Sequence, residues 1–174
     1  MMRHLTPDDY TAMPWANGRG TTVEILRENG PDGGLLLRLS MASVVKDGAF
    51  SIFPGVERNL TVISGPGFDL VGTTRITAAP LKPVAFHGDL PMAAAGVTAP
   101  SDDFNVMTAR GLSLPRVQVE TDTNVLPPPG GRLALFALES GLAAGCAVGK
   151  HDLILTVDKT RLRGGPFIVV QLAF

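Results

Sequence analysis

Twenty glycines and 14 prolines punctuate a chain of 174 residues, and together they constrain its fold more than any other feature. They make about a fifth of the chain, where roughly 12% is usual. They fall in clusters, NGRG, NGPDGG, FPG, SGPG, PPPGG and RGGP, that mark turns and leave little room between them for a helix. The intervals are short apolar runs of strand length: TTVEILRE, LLLRLSMASV, NLTVISG, FDLVG, TRIT, FNVM, RVQVET, RLALFALE, HDLILTVD and PFIVVQLAF. LPMAAAGVTA is alanine-rich, but its proline and glycine predict a loop. The stretch FPGVERNLTVISGPGFDL, residues 53–70, reads as a turn, a strand, a tight Gly-Pro-Gly turn and a second strand, a hairpin of a small β-barrel. An antiparallel all-β barrel or sandwich is expected. Residues 60–70 (LTVISGPGFDL) and 135–144 (LFALESGLAA) echo each other weakly, which predicts two halves with VLPPPGGR, 125–132, as the stiff linker.

Composition narrows the function. Hydrophobic residues make 45% and charged residues 18% of the chain, and the formal net charge is −1. That balance suits a globular chain and supplies no basic stripe, so no nucleic-acid partner is expected. Cys146 is the one cysteine, so no internal disulfide can form. MMRHLTPDDY lacks the apolar run of a signal peptide, and no apolar stretch reaches membrane-spanning length. The expectation is a cytoplasmic protein with no membrane partner.

The histidines are His4, His87 and His151, none in the close spacing that catalytic zinc or iron sites use. No metal and no other cofactor is therefore expected. His87 draws attention because it ends a strand beside Asp89. There is no G-x-S-x-G elbow, and NGRGTT lacks the lysine of a phosphate loop. What remains is polar residues inside apolar strands. Alternation in LLLRLSMASV puts Leu35, Leu37, Leu39 and Met41 on one face, and Arg38 with Ser40 on the other. Glu57, Arg58, Asn105 and Arg110 recur in similar settings, FPGVERNL and DDFNVMTARG. Each alone is an ordinary charge; together in a β chain they point to a polar pocket.

PWANGRGTTVEI, RLSMASVVKDGAFSIFPGVERNLTVISGPG, FHGD and DDFNVMTARG, in this order, resemble the HutD/Ves family. The likeness runs from about residue 10 to 112 and weakens beyond. It implies a cupin (RmlC-like jelly-roll) β-barrel in a bicupin arrangement, residues 1–124 forming one half and 125–174 the other, and a link to bacterial histidine utilisation. Two departures stand out: Ala16 and Arg19 replace a lysine and a glycine of the family's first motif, and His87 stands where an acidic residue is usual. Metal-binding cupins resemble G-x5-H-x-H-x3-4-E-x6-G. With the last glycine on Gly65, the glutamate position falls on Arg58 and no histidine falls on the ligand positions.

A planar guanidinium suits a carboxylate. The expected ligand is therefore a small organic anion held without metal, with Arg58 as its main partner and Arg38 as a second. Asn17, Ser40, Ser51 and Asn105 would add neutral hydrogen bonds, with Glu57 and Arg110 also at the site. A histidine-pathway intermediate such as urocanate or formylglutamate fits the family context, and the role would be regulatory. The alternative is a metal-free isomerase or hydrolase using Glu57, His87 or Glu24 as its base. PFIVVQLAF reads as core, or as the edge of a homodimer.

Overall fold

The computed structural model describes residues 1–15 and 20–174, in which strands dominate and no α-helix occurs. Strands are numbered β1 to β20 along the chain. They group into two compact units, one formed by Met1–Tyr10 with Gly111–Phe174 and the other by Thr11–Arg110. The sequence expectation put the junction at 124/125; by contacts it falls at 110/111, and the first ten residues join the later unit. VLPPPGGR lies inside that unit.

In the unit 11–110, six strands form one antiparallel sheet. Its order is β2 (Thr11–Pro14), β3 (Thr21–Asn29), β4 (Leu35–Val44), β11 (Ser101–Ala109), β6 (Val56–Ser64) and β9 (Val84–His87). The second sheet runs β5 (Gly48–Ala49), β10 (Ala93–Ala95), β7 (Phe68–Val71) and β8 (Arg75–Ala78). Leu60, Val62 and Phe86 from the first sheet join Phe68, Leu70, Ala78 and Ala94 from the second in one apolar core. LPMAAAGVTA, expected as a loop, contributes the short strand β10, held extended by pairing with β5 on one side and β7 on the other.

The SGPG stretch is not a hairpin. β6 pairs with β11 and β9, whereas β7 pairs with β8 and β10. The chain turns a corner between sheets there. Gly65 and Gly67 hold φ of +80° and +85°, and a Cβ on either would stand 2.2 Å from a backbone oxygen, that of Pro100 or of Ala78. Only glycine lets the corner press so closely on the backbone beside it.

The other unit repeats the device. Its main sheet runs β1 (Arg3–Leu5), β17 (Leu153–Thr156), β14 (Arg132–Ala137), β20 (Phe167–Leu172) and β12 (Arg116–Glu120). A second sheet holds β16 (Cys146–Val148), β15 (Gly141–Ala143) and β19 (Arg163–Gly164), while β13 (Asn124–Val125) pairs with β18 (Thr160–Arg161). The echo of residues 60–70 in 135–144 is thus another corner, from β14 into β15 of a different sheet. Leu133, Leu135, Ile154, Leu162, Phe167 and Val169 fill this unit's core. PFIVVQLAF forms the inner strand β20 between β14 and β12, so its apolar run serves the core and is no edge. His4 and Tyr10 tie the first residues down: His4 Nε2 lies 2.8 Å from the Asp152 carboxylate, and the Tyr10 hydroxyl donates to the His151 carbonyl at 2.6 Å. No helix among the described residues is long and apolar enough to cross a membrane.

Candidate functional site

A cavity of about 460 Å³ opens within the unit 11–110, of the size small-molecule sites use. Its floor is the inner face of the six-stranded sheet, and strand alternation decides who reaches it. From β4 come Arg38, Ser40, Ala42 and Val44; from β11 come Asp103, Asn105 and Met107; from β6 comes Arg58. The ladder sets them in rows. Arg38, Met107 and Arg58 lie across from one another, then Ser40 and Asn105, then Ala42 and Asp103. Trp15, Phe50, Ser51 and Phe53 form part of the walls.

Arg58 dominates the site. It is buried, with its guanidinium between 4.9 and 5.4 Å from the ring centroids of Phe50, Phe53 and Phe86. Nη2 donates to Asn105 Oδ1 at 3.1 Å and Nη1 to the Ser51 carbonyl at a long 3.4 Å. Nε is buried and has no partner among the described residues. Burial pushes the guanidinium down to about 10, with nearby Asp103 acting against that and Arg38 adding to it. It still carries its full charge at neutral pH. A buried cation short of one hydrogen bond is costly unless something else supplies the missing acceptor.

Arg38 differs. Its Nε donates to Glu24 of the neighbouring β3 at 2.7 Å, so an internal carboxylate already answers its charge. Asp103 is the third charged group on the floor, 1% exposed. Its carboxylate accepts a hydrogen bond from the Asn105 amide, whose oxygen accepts from Arg58. Burial pushes Asp103 up to about 7, against the pull of Asn105 and Arg58.

Of the residues expected at the site, Arg38, Ser40, Ser51, Arg58 and Asn105 line the cavity. Asn17 lies outside the described residues. Glu57 and Arg110 do not line it. Glu57 precedes Arg58 on β6, so alternation turns it to the opposite face of the sheet. There Arg110 Nε donates to Glu57 at 2.7 Å, His87 Nδ1 lies 2.6 Å from the same carboxylate, and Arg110 Nη2 also pairs with Asp89. Burial works against the charge on Glu57, but hydrogen bonds from Arg110 and His87 outweigh it and hold the carboxyl below its ordinary value. His87 is exposed in this surface network, well away from the role of a pocket base. Sequence reasoning missed Asp103, Trp15, Phe50 and Phe53. The alternation that paired Arg38 with Ser40 would have joined Asp103 to Asn105. Among the described residues, no cluster of three or more His, Cys, Asp or Glu could hold a metal ion.

Comparison with known proteins agrees with this picture. The HutD family model matches residues 7–165. A protein encoded in the hutC 3′ region of Pseudomonas putida is 32% identical over 163 residues, covering 92% of this chain and 86% of its own. The structure of HutD from Pseudomonas fluorescens superposes with a TM-score of 0.88 at 28% identity, over 99% of this chain and 98% of that one. A conserved protein of unknown function from Pseudomonas aeruginosa follows at 0.84 and 28%, over 100% of both. The nickel-bound pirin YhhW of Escherichia coli superposes at 0.66 with 6% identity over 98% of this chain and 97% of that one, which speaks to a cupin-like fold alone. From the matched family, and from a pocket built on the motifs that carry the likeness, this chain belongs to the HutD family, linked to the histidine-utilisation genes.

Proposed function

We propose that this protein binds a small organic carboxylate, without a metal ion, in the cavity of the unit 11–110, and that it serves histidine utilisation as a metabolite-responsive regulatory protein. Each unit would be one cupin half of a bicupin chain, with the ligand in this half alone. The observation that carries the reading is the buried Arg58 guanidinium, whose Nε lacks an acceptor while its face is held by aromatic rings. A carboxylate reaching Nη1, whose contact to the Ser51 carbonyl is a long 3.4 Å, would strengthen its hydrogen bonding, and bonds to charged groups contribute about 1.5–3 kcal/mol each. Two or three such bonds contribute about 3–9 kcal/mol before ordering costs, and apolar contact with the aromatic walls adds to them. Ser40, Ser51 and Asn105 supply further polar contacts. Urocanate and formylglutamate remain the pathway candidates.

One observation favours a second reading, a metal-free isomerase or hydrolase. Asp103 sits in the cavity with its carboxyl at about 7, where a general acid or base works best. Glu57 and His87 lose that role because they face elsewhere, and Glu24 is engaged by Arg38.

The test is a thermal-shift and fluorescence titration of chelator-dialysed protein with histidine-pathway carboxylates and unrelated anions. Trp15, the one tryptophan, lines the cavity and reports directly. A ligand at 100 times its dissociation constant adds about 2.7 kcal/mol. A shift for a pathway anion that disappears in Arg58→Ala supports the reading. Stabilisation by a divalent metal alone, with none from any carboxylate, refutes it. Turnover of a bound ligand, lost in Asp103→Asn, would favour the enzyme.

A further inference from the structure

The floor of the cavity carries more charge than an anion site needs. Arg38 is answered by Glu24 at 2.7 Å. Among the described residues Arg58 is then the one floor cation left to meet a ligand, yet a second carboxyl, Asp103, shares the floor with it. The two communicate through Asn105, whose amide donates to Asp103 and whose oxygen accepts from Arg58. Around Asp103 the charged groups are Arg58 from β6, Arg38 from β4 with its partner Glu24 behind it on β3, and Asp102 on its own strand. Asp102 is occupied by the hydroxyls of Ser43 and Ser64.

Asp102 is exposed and does not line the cavity; with Asp103 ionised, the remaining described charges, Arg58, Asp103 and the Arg38–Glu24 pair, cancel and offer an incoming anion no net attraction. With Asp103 protonated, Arg58 is uncompensated and the cavity carries one positive charge. We propose that the site takes up one carboxylate together with one proton from solvent, the proton residing on Asp103, and that its ligand is therefore a monocarboxylate. This rests on the anion-site reading and deepens it: of the two pathway candidates it keeps urocanate, which carries one carboxylate, and excludes formylglutamate, which carries two. Proton balance is simple: the ligand enters as the anion, Asp103 gains a proton, and no bond to the ligand is made or broken. The burial that lifts the Asp103 carboxyl to about 7 places the transition near neutral pH. Affinity is highest in mild acid and falls by up to about tenfold per pH unit above neutrality, the limit for one linked proton.

Calorimetric titration with acetate, propionate and benzoate, each ionised throughout pH 5.5–8.5, tests this in buffers of different ionisation heat. The expected result is uptake of about half to one proton per ligand at pH 8, fading towards none at pH 5.5. Asp103→Asn should bind with an affinity independent of pH and exchange no proton. Succinate against its monomethyl ester tests charge: the dianion is the smaller of the two, so weaker binding of succinate cannot be steric. Equal binding of the two, or binding at every pH without proton exchange, overturns this inference and leaves the anion site standing. Binding of no carboxylate at any pH overturns both. Should Asp103→Asn fail to fold, the proton count on the unaltered protein decides the matter alone.

Discussion

Replacing Arg58 by methionine should make the ligand-free protein more stable. The guanidinium is held at about 10 against an ordinary 12.5, chiefly by burial. At about 1.36 kcal/mol per pH unit, carrying that charge costs the folded state about 3 kcal/mol. The three phenylalanine faces around it return about 0.5–2 kcal/mol of this. A methionine of similar length fills the slot without the charge, and apolar replacement of buried charges is often neutral or stabilising. The net gain is about 1–2 kcal/mol, or a midpoint raised by about 2–8 °C for a chain of this size. The assay is thermal melting at pH 6, where Asp103 is largely protonated and the lost counter-charge matters little. The same sample should show no Trp15 response to carboxylates. A midpoint lowered by a few degrees would refute the argument, because Arg58 would then be a structural tie and not a group held in reserve for a ligand. Retained carboxylate binding would refute it equally.

Other outcomes follow from the same geometry. Gly65→Ala must push a Cβ against the Pro100 carbonyl at a left-handed φ, and should cost more than about 2 kcal/mol by denaturant titration. Asp103 has a raised carboxyl, so the folded state holds an extra proton between pH 4 and 7, and stability falls as pH rises through that window. The contribution is at most about 4 kcal/mol, and Asp103→Asn should flatten that part of the pH–stability curve. Glu57 has a lowered carboxyl, so its contribution is present at neutral pH and lost as pH falls through the acid range. Glu57→Gln should blunt that acid loss and leave carboxylate binding within about twofold, since the side chain faces away from the cavity.

The strands were legible because glycine and proline clusters bracket them: LLLRLSMASV is β4 to the residue. Arg38 and Ser40 were legible for a related reason, since strand parity alone puts them on one face. The same parity, carried into FPGVERNL, separates Glu57 from Arg58, a distinction the sequence holds but a list of polar residues blurs. What could not be read from sequence is pairing between distant strands. Nothing local says that β11 lies between β4 and β6, so nothing local brings Asp103 to the floor that Arg58 shares. The SGPG corner misled because two strands and a tight turn look alike whether the chain doubles back or crosses to another sheet. Trp15, Phe50 and Phe53 line the cavity from outside the strands, where periodicity carries no information.

The division of the chain into these two units also orders events during synthesis. The unit 11–110 is continuous in sequence, so its strands can all pair once Arg110 has left the ribosome. Arg3–Leu5 emerge first but have their partners in Leu153–Leu155, near the other end of the chain. At about 5–20 residues per second, β1 waits several seconds with its backbone unpaired while the unit 11–110 is already assembling. The cavity can thus take shape on a nascent chain, before the unit that claims the first ten residues exists.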